Sequence, residues 1–432
     1  MNWLIENGTF LTQDPERPVV RGWLAVRGDR IAGIGEGEAP AEVRAEAKER
    51  VDGKNLLFLP GLVNTHGHAA MTLLRGYADD LNLQEWLNNY IWPMEAKLTD
   101  EDVYWGTMLA AAEMIRTGTT AFADMYFFMD RVAEAVEASG MRASLCRGIV
   151  GFGSESEVNE KLAEGIRFAR EWQGKADGRI RTMLGPHAPY TCPPSLLEKV
   201  IDAAHQYDLA IHIHMSETKA EVEQNVRDYG VRPPEHLDRV GVFTRPTLLA
   251  HAVHLTDEEI ALLAERRAAV SHNPVSNLKL ASGVARVPEM LGAGVAVTLG
   301  TDSVASNNNL DLFEEIKVTA MLHKGVTLDP TVLPAARVLR MATADGARVL
   351  GMEDVGVLKE GWKADLIALR TDRPHFTPQT DFVSHVVYAA SGADVEHVWV
   401  DGKPLMRGRE LLTLDEERIR HEVQRRFERM RG

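Results

Sequence analysis

Eight apolar runs, each about the length of a strand and each closing on a polar or ionisable residue, constrain the fold of this 432-residue chain more than any other feature. They end near His66/His68, Asp124, Arg147, His187, His214, His251, His272 and Asp302. Between them lie helix-length amphipathic segments such as Ser195–Tyr207 and Asp257–Arg267. Strand-helix alternation of this kind predicts βαβ units and a parallel sheet. One closed solution is a (β/α)8 barrel of the TIM type, which gathers its chemistry at the C-terminal ends of its strands. The competing architecture, a doubly wound open sheet, concentrates its ligands at one switch point. Eight strand ends that each carry chemistry fit the barrel better.

The two ends of the chain read differently. Asn2–Glu6, Trp23–Arg27 and Arg30–Ile34 are short β-prone runs, with Asn7-Gly8 and Gly28-Asp29 as turn dipeptides. Near the other end, Lys363–Leu369 and Val395–Val400 resemble strands, and Asp401-Gly402 is a hairpin-type turn. The expectation is an α/β protein in three segments. Residues 1–59 and 353–432 together form a small β-sandwich domain, and residues 60–352 form the barrel. Asp415 to Arg431 reads as a charged surface helix closing the chain.

Composition narrows the function. A net charge of −15 supplies no basic footprint for nucleic acid. No run of about 18 apolar residues offers a membrane span, and the first residues do not resemble a secretory signal, so a cytoplasmic protein is expected. Gly151-Phe152-Gly153 lacks the rest of a phosphate-loop pattern. With only Cys146 and Cys192, a Cys-rich metal site is excluded. Any bound metal must be held by His and carboxylates.

The strand ends supply such a set. In His66-Gly67-His68 the two imidazoles are two apart on an extended chain, so they share a face and can converge on one ion. His214 closes Ile211-His212-Ile213-His214 and reads as the third ligand; His212 has the same parity one layer deeper and reads as a hydrogen-bonded core residue. Asp302 ends Val295–Thr301 and can both bind the metal and accept a proton from a bound water. Glu217, just beyond His214, can donate a proton to a substrate nitrogen. His251 is either a further ligand or a hydrogen-bonding partner of the attacking hydroxide; His254 has the opposite parity and reads as structural, and His272 stays undecided. Three His, one Asp and an open position make a mononuclear hydrolytic site of the deaminase or amide-hydrolase kind. The fourth strand ends in Pro186-His187-Ala188-Pro189 rather than a Lys, which disfavours a carboxylated Lys bridging two metals.

These residues resemble a known family. Pro60-Gly61-Leu62-Val63-Asn64-Thr65-His66-Gly67-His68 is similar to the metal signature of the amidohydrolase superfamily. The continuation through Ala70–Gly76, Asp80, Glu85-Trp86-Leu87 and Glu95 resembles the 5-methylthioadenosine/S-adenosylhomocysteine deaminases, as do Asp124-Met125-Tyr126, Gly185–Tyr190, Ser271–Pro274 with Ser276–Leu280, and Leu299–Asp302 with Ala305–Asn308. The resemblance runs over nearly the whole chain. It implies one divalent metal per subunit, zinc first and iron or manganese as substitutes, held by His66, His68, His214 and Asp302. It implies catalysis by Glu217, His251 and Asp302. Glu95 would bind the ribose hydroxyls, His187 would lie near the sugar, Glu217 would face the purine, and Arg147 would face the 5′ substituent. Trp86 and Trp92 are candidate caps of the pocket. The partner implied is a small nucleoside, with no nucleic acid and no membrane, in a homo-oligomer.

One departure stands out. Homocysteine-binding members carry a second Arg soon after the strand-end one, whereas here Gly148–Glu157 contains none before Arg167. The expectation is that S-adenosylhomocysteine is a poorer substrate than 5′-methylthioadenosine or another uncharged 5′-modified adenosine. The competing functions are a related hydrolase acting on a triazine, guanine or pterin, an N-acyl hydrolase, which would more often carry the bridging Lys, and an inactive barrel serving as a scaffold, which would lack a ligand or the acid.

Overall fold

The computed structural model describes residues 1–432 and contains two sheets. The first is built from both ends of the chain: β1 (Trp3–Leu11), β2 (Val19–Arg27), β3 (Arg30–Glu36), β4 (Glu49–Asp52) and β5 (Leu56–Pro60). The second contains β6 (Leu62–Asn64), β7 (Thr119–Tyr126), β8 (Arg142–Ile149), β9 (Ile180–Pro186), β10 (Ala210–Met215), β11 (Thr247–His251), β12 (Ala269–His272) and β13 (Ala296–Leu299). The chain then returns to the first sheet with β14 (Leu366–Arg370), β15 (Val395–Val400), β16 (Lys403–Arg407) and β17 (Glu410–Leu411). No helix is long and apolar enough to cross a membrane.

The eight strands β6 to β13 pair in sequence order, all parallel. The barrel closes between first and last: Thr65 N–H donates to Leu299 O (2.9 Å) and Asp302 N–H donates to His66 O (3.0 Å). Inside, the N-terminal half is packed with small and flexible side chains, among them Val63, Ala121, Ala123, Cys146 and Met183. Outside, alternate residues of the same strands join the larger core against the helices.

The terminal sheet has nine strands in the order β17-β16-β15-β14-β5-β1-β2-β3, with β4 also on β1. Asn7-Gly8 is not a turn. It is a bulge inside β1, with Asn7 at φ 59° and the register slipping between Ile5 and Gly8. The slip lets one edge of β1 change partners, β4 along Trp3–Glu6 and β5 along Thr9–Phe10. The sheet curls so that Trp3, Phe10, Phe58 and Trp399 share one interior, with Trp3 and Trp399 ring centroids 5.4 Å apart. Asp401-Gly402 does form the hairpin turn, both residues at positive φ as a two-residue hairpin loop of this hand requires.

The two sheets meet at Gly61. A Cβ there would lie 2.0 Å from Thr120 Oγ1, so only glycine lets β5 hand over to β6. Beside it sits a buried ion network. Arg142, at the start of β8, donates from Nε to Asp365 Oδ2 (2.8 Å) and from Nη2 to Asp365 Oδ1 (3.0 Å) and Asp401 Oδ1 (2.6 Å). One guanidinium therefore ties the N-terminal mouth of the barrel to β14 and to the β15–β16 turn.

Candidate active site

At the opposite mouth the strand ends converge. His66 Nε2 and His68 Nε2 lie 3.4 and 3.3 Å from Asp302 Oδ1, and His214 Nε2 lies 3.4 Å from His68 Nε2. His251 Nε2 faces Asp302 Oδ2 at 4.0 Å and Glu217 Oε2 at 3.7 Å. Ligand atoms about 2.0–2.1 Å from a tetrahedral zinc stand about 3.3 Å from one another. These three pairs match that edge length; His66, His68 and His214 form one group of ligand atoms all within 4.8 Å of one another, and His66, His251 and Asp302 form another.

The second layer fixes which ring nitrogen faces inward. His68 Nδ1 donates to Met125 O (2.7 Å) and His214 Nδ1 to His187 O (2.6 Å). A carbonyl can only accept, so each Nδ1 carries the proton, and in the neutral ring each Nε2 offers a lone pair; against burial, Asp302 beside His68 pushes that ring up to about 9, so a cation there would have to displace its Nε2 proton. His66 Nδ1 bonds His212 Nε2 at 2.8 Å, which gives His212 its place as the support of a ligand. His66 Nε2 is buried with no hydrogen-bond partner. An orphaned buried acceptor is costly, and its position in the cluster suits a cation. Burial also pushes His66 down to about 4, so the imidazole is neutral as ligation requires. The donor set fits one divalent ion.

Backbone strain gathers at the same place. Ser216, His251, Ala252 and Asp302 all have left-handed φ, at 53°, 75°, 48° and 60°. Non-glycine residues in this region cost about 1–3 kcal/mol each and persist where surroundings impose them. Here each follows or ends a barrel strand, and the residues after Ser216 and Asp302, Glu217 and Ser303, line the cavity. Asp302 is further held at Oδ2 by the Ser276 hydroxyl (2.6 Å) and the Ser306 hydroxyl (3.0 Å). Asn277 Oδ1 accepts from His251 Nδ1 (2.9 Å) and sets its ring.

The cluster forms the floor of a cavity of about 370 Å³. Glu217 lines it, buried, and burial raises its carboxyl above the usual range, with His251 opposing. Glu95 lines it too. Tyr126 Oη donates to Glu95 Oε1 at 2.7 Å, and burial pushes Glu95 up to about 7. His187 lines the wall; Thr191 Oγ1, which donates to Ala188 O, accepts from His187 Nδ1 (2.9 Å) and leaves Nε2 open to the cavity. The roof is apolar, with Trp86, Trp92, Phe127, Val150 and Phe152.

Arg147 is the exception. It does not line the cavity. Its Nε donates to Glu164 Oε2 (2.8 Å) on the outer helix Glu155–Trp172, its Nη1 bonds Gly148 O, and its guanidinium stacks on Phe127 at 5.7 Å. The reason is parity: on β8, Cys146 and Gly148 point inward while Leu145, Arg147 and Ile149 point outward. No Lys or Arg lines the cavity at all. His272 also lies away from it, paired with His323 at 3.2 Å in the core, and His254 donates to Ser282 O (2.6 Å) as a structural residue.

Four contributors carried no signal of their own in the residue-by-residue reading: Tyr126, Ser306, Asn277 and Glu221. The last is a buried carboxylate beneath Glu217, pushed up to about 7 by burial with Glu217 adding to the rise.

Comparison with known proteins gives consistent likenesses. The Amidohydrolase family model matches residues 57–405. The chain is 58% identical over 376 residues to a 5-methylthioadenosine/S-adenosylhomocysteine deaminase of Dictyoglomus thermophilum, covering 87% of this chain and 88% of the relative. It is 51% identical over 423 residues to a 5′-deoxyadenosine deaminase of Methanosarcina mazei, covering 98% and 96%. Among solved structures, an adenosine deaminase from Xanthomonas campestris with bound zinc superimposes with a TM-score of 0.95 at 38% identity, over 100% of this chain and 98% of that one.

Proposed function

Since the chain belongs to the amidohydrolase family, and within it to the 5-methylthioadenosine/S-adenosylhomocysteine deaminases, we propose that it hydrolytically deaminates adenine nucleosides whose 5′ group is small and uncharged. The observation that carries this reading is the pairing of a hydrolytic cluster with Glu95: a buried carboxylate, 2.7 Å from a tyrosine hydroxyl, on the wall of the same cavity. Two adjacent ribose hydroxyls suit such an acceptor, and a triazine or guanine has none to offer it.

The three-imidazole, one-carboxylate set of His66, His68, His214 and Asp302 would hold one divalent ion, which we assign as zinc from the chemistry of those donors. When bound, it lowers the pKa of a water towards 7 and polarises the reacting centre. The protein supplies the rest. Asp302 accepts a proton from the attacking water, its Oδ2 held still by Ser276 and Ser306. His251, locked by Asn277, faces Asp302 and Glu217 together and aligns the water between them. Glu217, which burial favours in its protonated form, gives its proton to purine N1 as oxygen adds to C6. The proton on Asp302 passes to the departing amino nitrogen, ammonia leaves, the C6 hydroxyl gives its proton back to Glu217 as the carbonyl forms, and the inosine analogue remains. His187 and Glu95 hold the sugar, and the apolar roof keeps bulk water from the ring.

Substrate choice follows from what the cavity lacks. An S-adenosylhomocysteine carboxylate would meet no cation, because Arg147 is turned to Glu164 and no other Arg or Lys reaches the lining. A charge-assisted hydrogen bond is worth about 1.5–3 kcal/mol, so its absence costs about tenfold or more. The test is an ultraviolet assay of adenine-to-hypoxanthine conversion over adenosine, 5′-methylthioadenosine, 5′-deoxyadenosine and S-adenosylhomocysteine, with metal content measured on the same sample. The expected result is a kcat/KM for 5′-methylthioadenosine or 5′-deoxyadenosine about tenfold above that for S-adenosylhomocysteine. The reverse preference would sink the specificity reading, and no conversion of any of the four would sink the deaminase reading.

A further inference from the structure

Three α-helices in this protein begin with the same device. At Thr99/Asp102, Ser154/Glu157 and Thr256/Glu259, the cap hydroxyl accepts from the backbone three residues on, and that residue's carboxylate reaches back to the cap N–H. The helix Lys219–Tyr229 has the same residue pattern, Thr218 and Glu221, and Thr218 does cap it. The carboxylate of Glu221 departs from the pattern. It passes over the cap N–H and accepts from two others, Ser216 N–H at Oε1 (2.9 Å) and Glu217 N–H at Oε2 (2.8 Å).

Those two amides belong to the turn that aims the proton donor. Ser216 sits at φ 53°, a conformation its side chain does not favour. Its carbonyl accepts from Val253 and His254 N–H, both at 3.1 Å, and Met215 O accepts from Ala252 N–H at 3.0 Å. The Met215–Glu217 turn is therefore pinned on one side by the segment after His251 and on the other by Glu221. Glu221 is 3% exposed and does not line the cavity, so it touches no substrate. We infer that Glu221 is a positioning residue, whose bidentate grip on Ser216 and Glu217 holds the Glu217 carboxyl over the reacting ring. This rests on the deaminase reading given above, in which Glu217 is the acid.

The test compares Glu221→Gln, Glu221→Ala and Thr218→Ala with the wild type on 5′-methylthioadenosine, with kcat, KM, metal content and Tm for each. Gln keeps one acceptor oxygen and Ala none. A misplacement of about 1 Å costs up to about a hundredfold. The expected result is therefore a kcat loss of about tenfold in Glu221→Gln and about a hundredfold in Glu221→Ala, with KM within about threefold and metal content unchanged. Thr218→Ala removes the cap of the same helix and leaves the turn, so it should lower Tm and keep kcat. The inference is overturned if Glu221→Ala turns over within about twofold of wild type, or if Thr218→Ala slows catalysis as much. Where Glu221→Ala fails to fold, Glu221→Gln and Glu221→Asp are judged by the same criterion. A wild-type enzyme inert towards every adenine nucleoside would instead remove the deaminase reading, and that result is visible before any variant is made.

Discussion

Replacing Glu217 with Gln should lower kcat by about 10²- to 10⁴-fold and leave metal content unchanged. The amide has the size and hydrogen-bonding reach of the acid but no proton to give to N1. Glu217 belongs to neither group of candidate ligands, His66, His68 and His214 or His66, His251 and Asp302, and stands 3.7 Å from His251 Nε2, so those donor atoms should keep their positions when it changes. The loss should fall on kcat more than on KM, because a proton that moves in the transition state contributes little to ground-state binding. Steady-state kinetics beside metal analysis on one preparation measure both. Near-normal turnover in a fully metallated Glu217→Gln enzyme would refute the acid role.

The largest stability effect is expected far from the chemistry. Arg142→Met should destabilise the protein by about 3–5 kcal/mol, since it leaves Asp365 and Asp401 buried without their guanidinium. The side chains of all three are at most 6% exposed, so water cannot replace the lost partner. Lys363 Nζ, 3.2 Å from Asp401, relieves one carboxylate and not Asp365. Adding Asp365→Asn to Arg142→Met should therefore recover part of the loss. Denaturant titration and Tm read both variants, and an Arg142→Met protein as stable as wild type would show that the network contributes nothing. Catalysis in the surviving folded fraction should be unchanged, because this end of the barrel faces away from the cavity.

The barrel was legible because each interior strand announces itself twice, once as an apolar run and once by the group that ends it. That His66, His68, His214 and Asp302 come together was legible for the same reason, since a strand end is the one place on this architecture where a short sequence fixes a position in space. Arg147 failed on parity. Ser144, Cys146 and Gly148 are small, as a barrel interior demands, and Leu145 and Ile149 are large, as helix packing demands; that contrast placed Arg147 outward, and the strand-end reading overlooked it. Asn7-Gly8 was misread because the same dipeptide serves a turn or a bulge, and only the pairing of β1 with two different strands decides between them. Glu221 carries no signal of its own, since an acid three residues after Thr218 is the pattern of an ordinary helix cap. Its departure from that role is a matter of backbone angle at Ser216, which no residue type announces. Tyr126 and Glu95 are 31 residues apart, and nothing local in either segment says that they meet.

The seam at which the barrel closes joins Thr65 and His66 to Leu299 and Asp302. It is also where His66 and Asp302, the candidate ligands after the first and last strands, come together. During synthesis, a ribosome must deliver more than two hundred further residues after His68 before Asp302 emerges. A nascent chain can therefore present His66, His68 and later His214 without Asp302, and a cation caught early would be held by weaker, incomplete ligation. Loading is tied to the final step of assembly, and a chain cut short before β13 should emerge both open and unable to retain its ion.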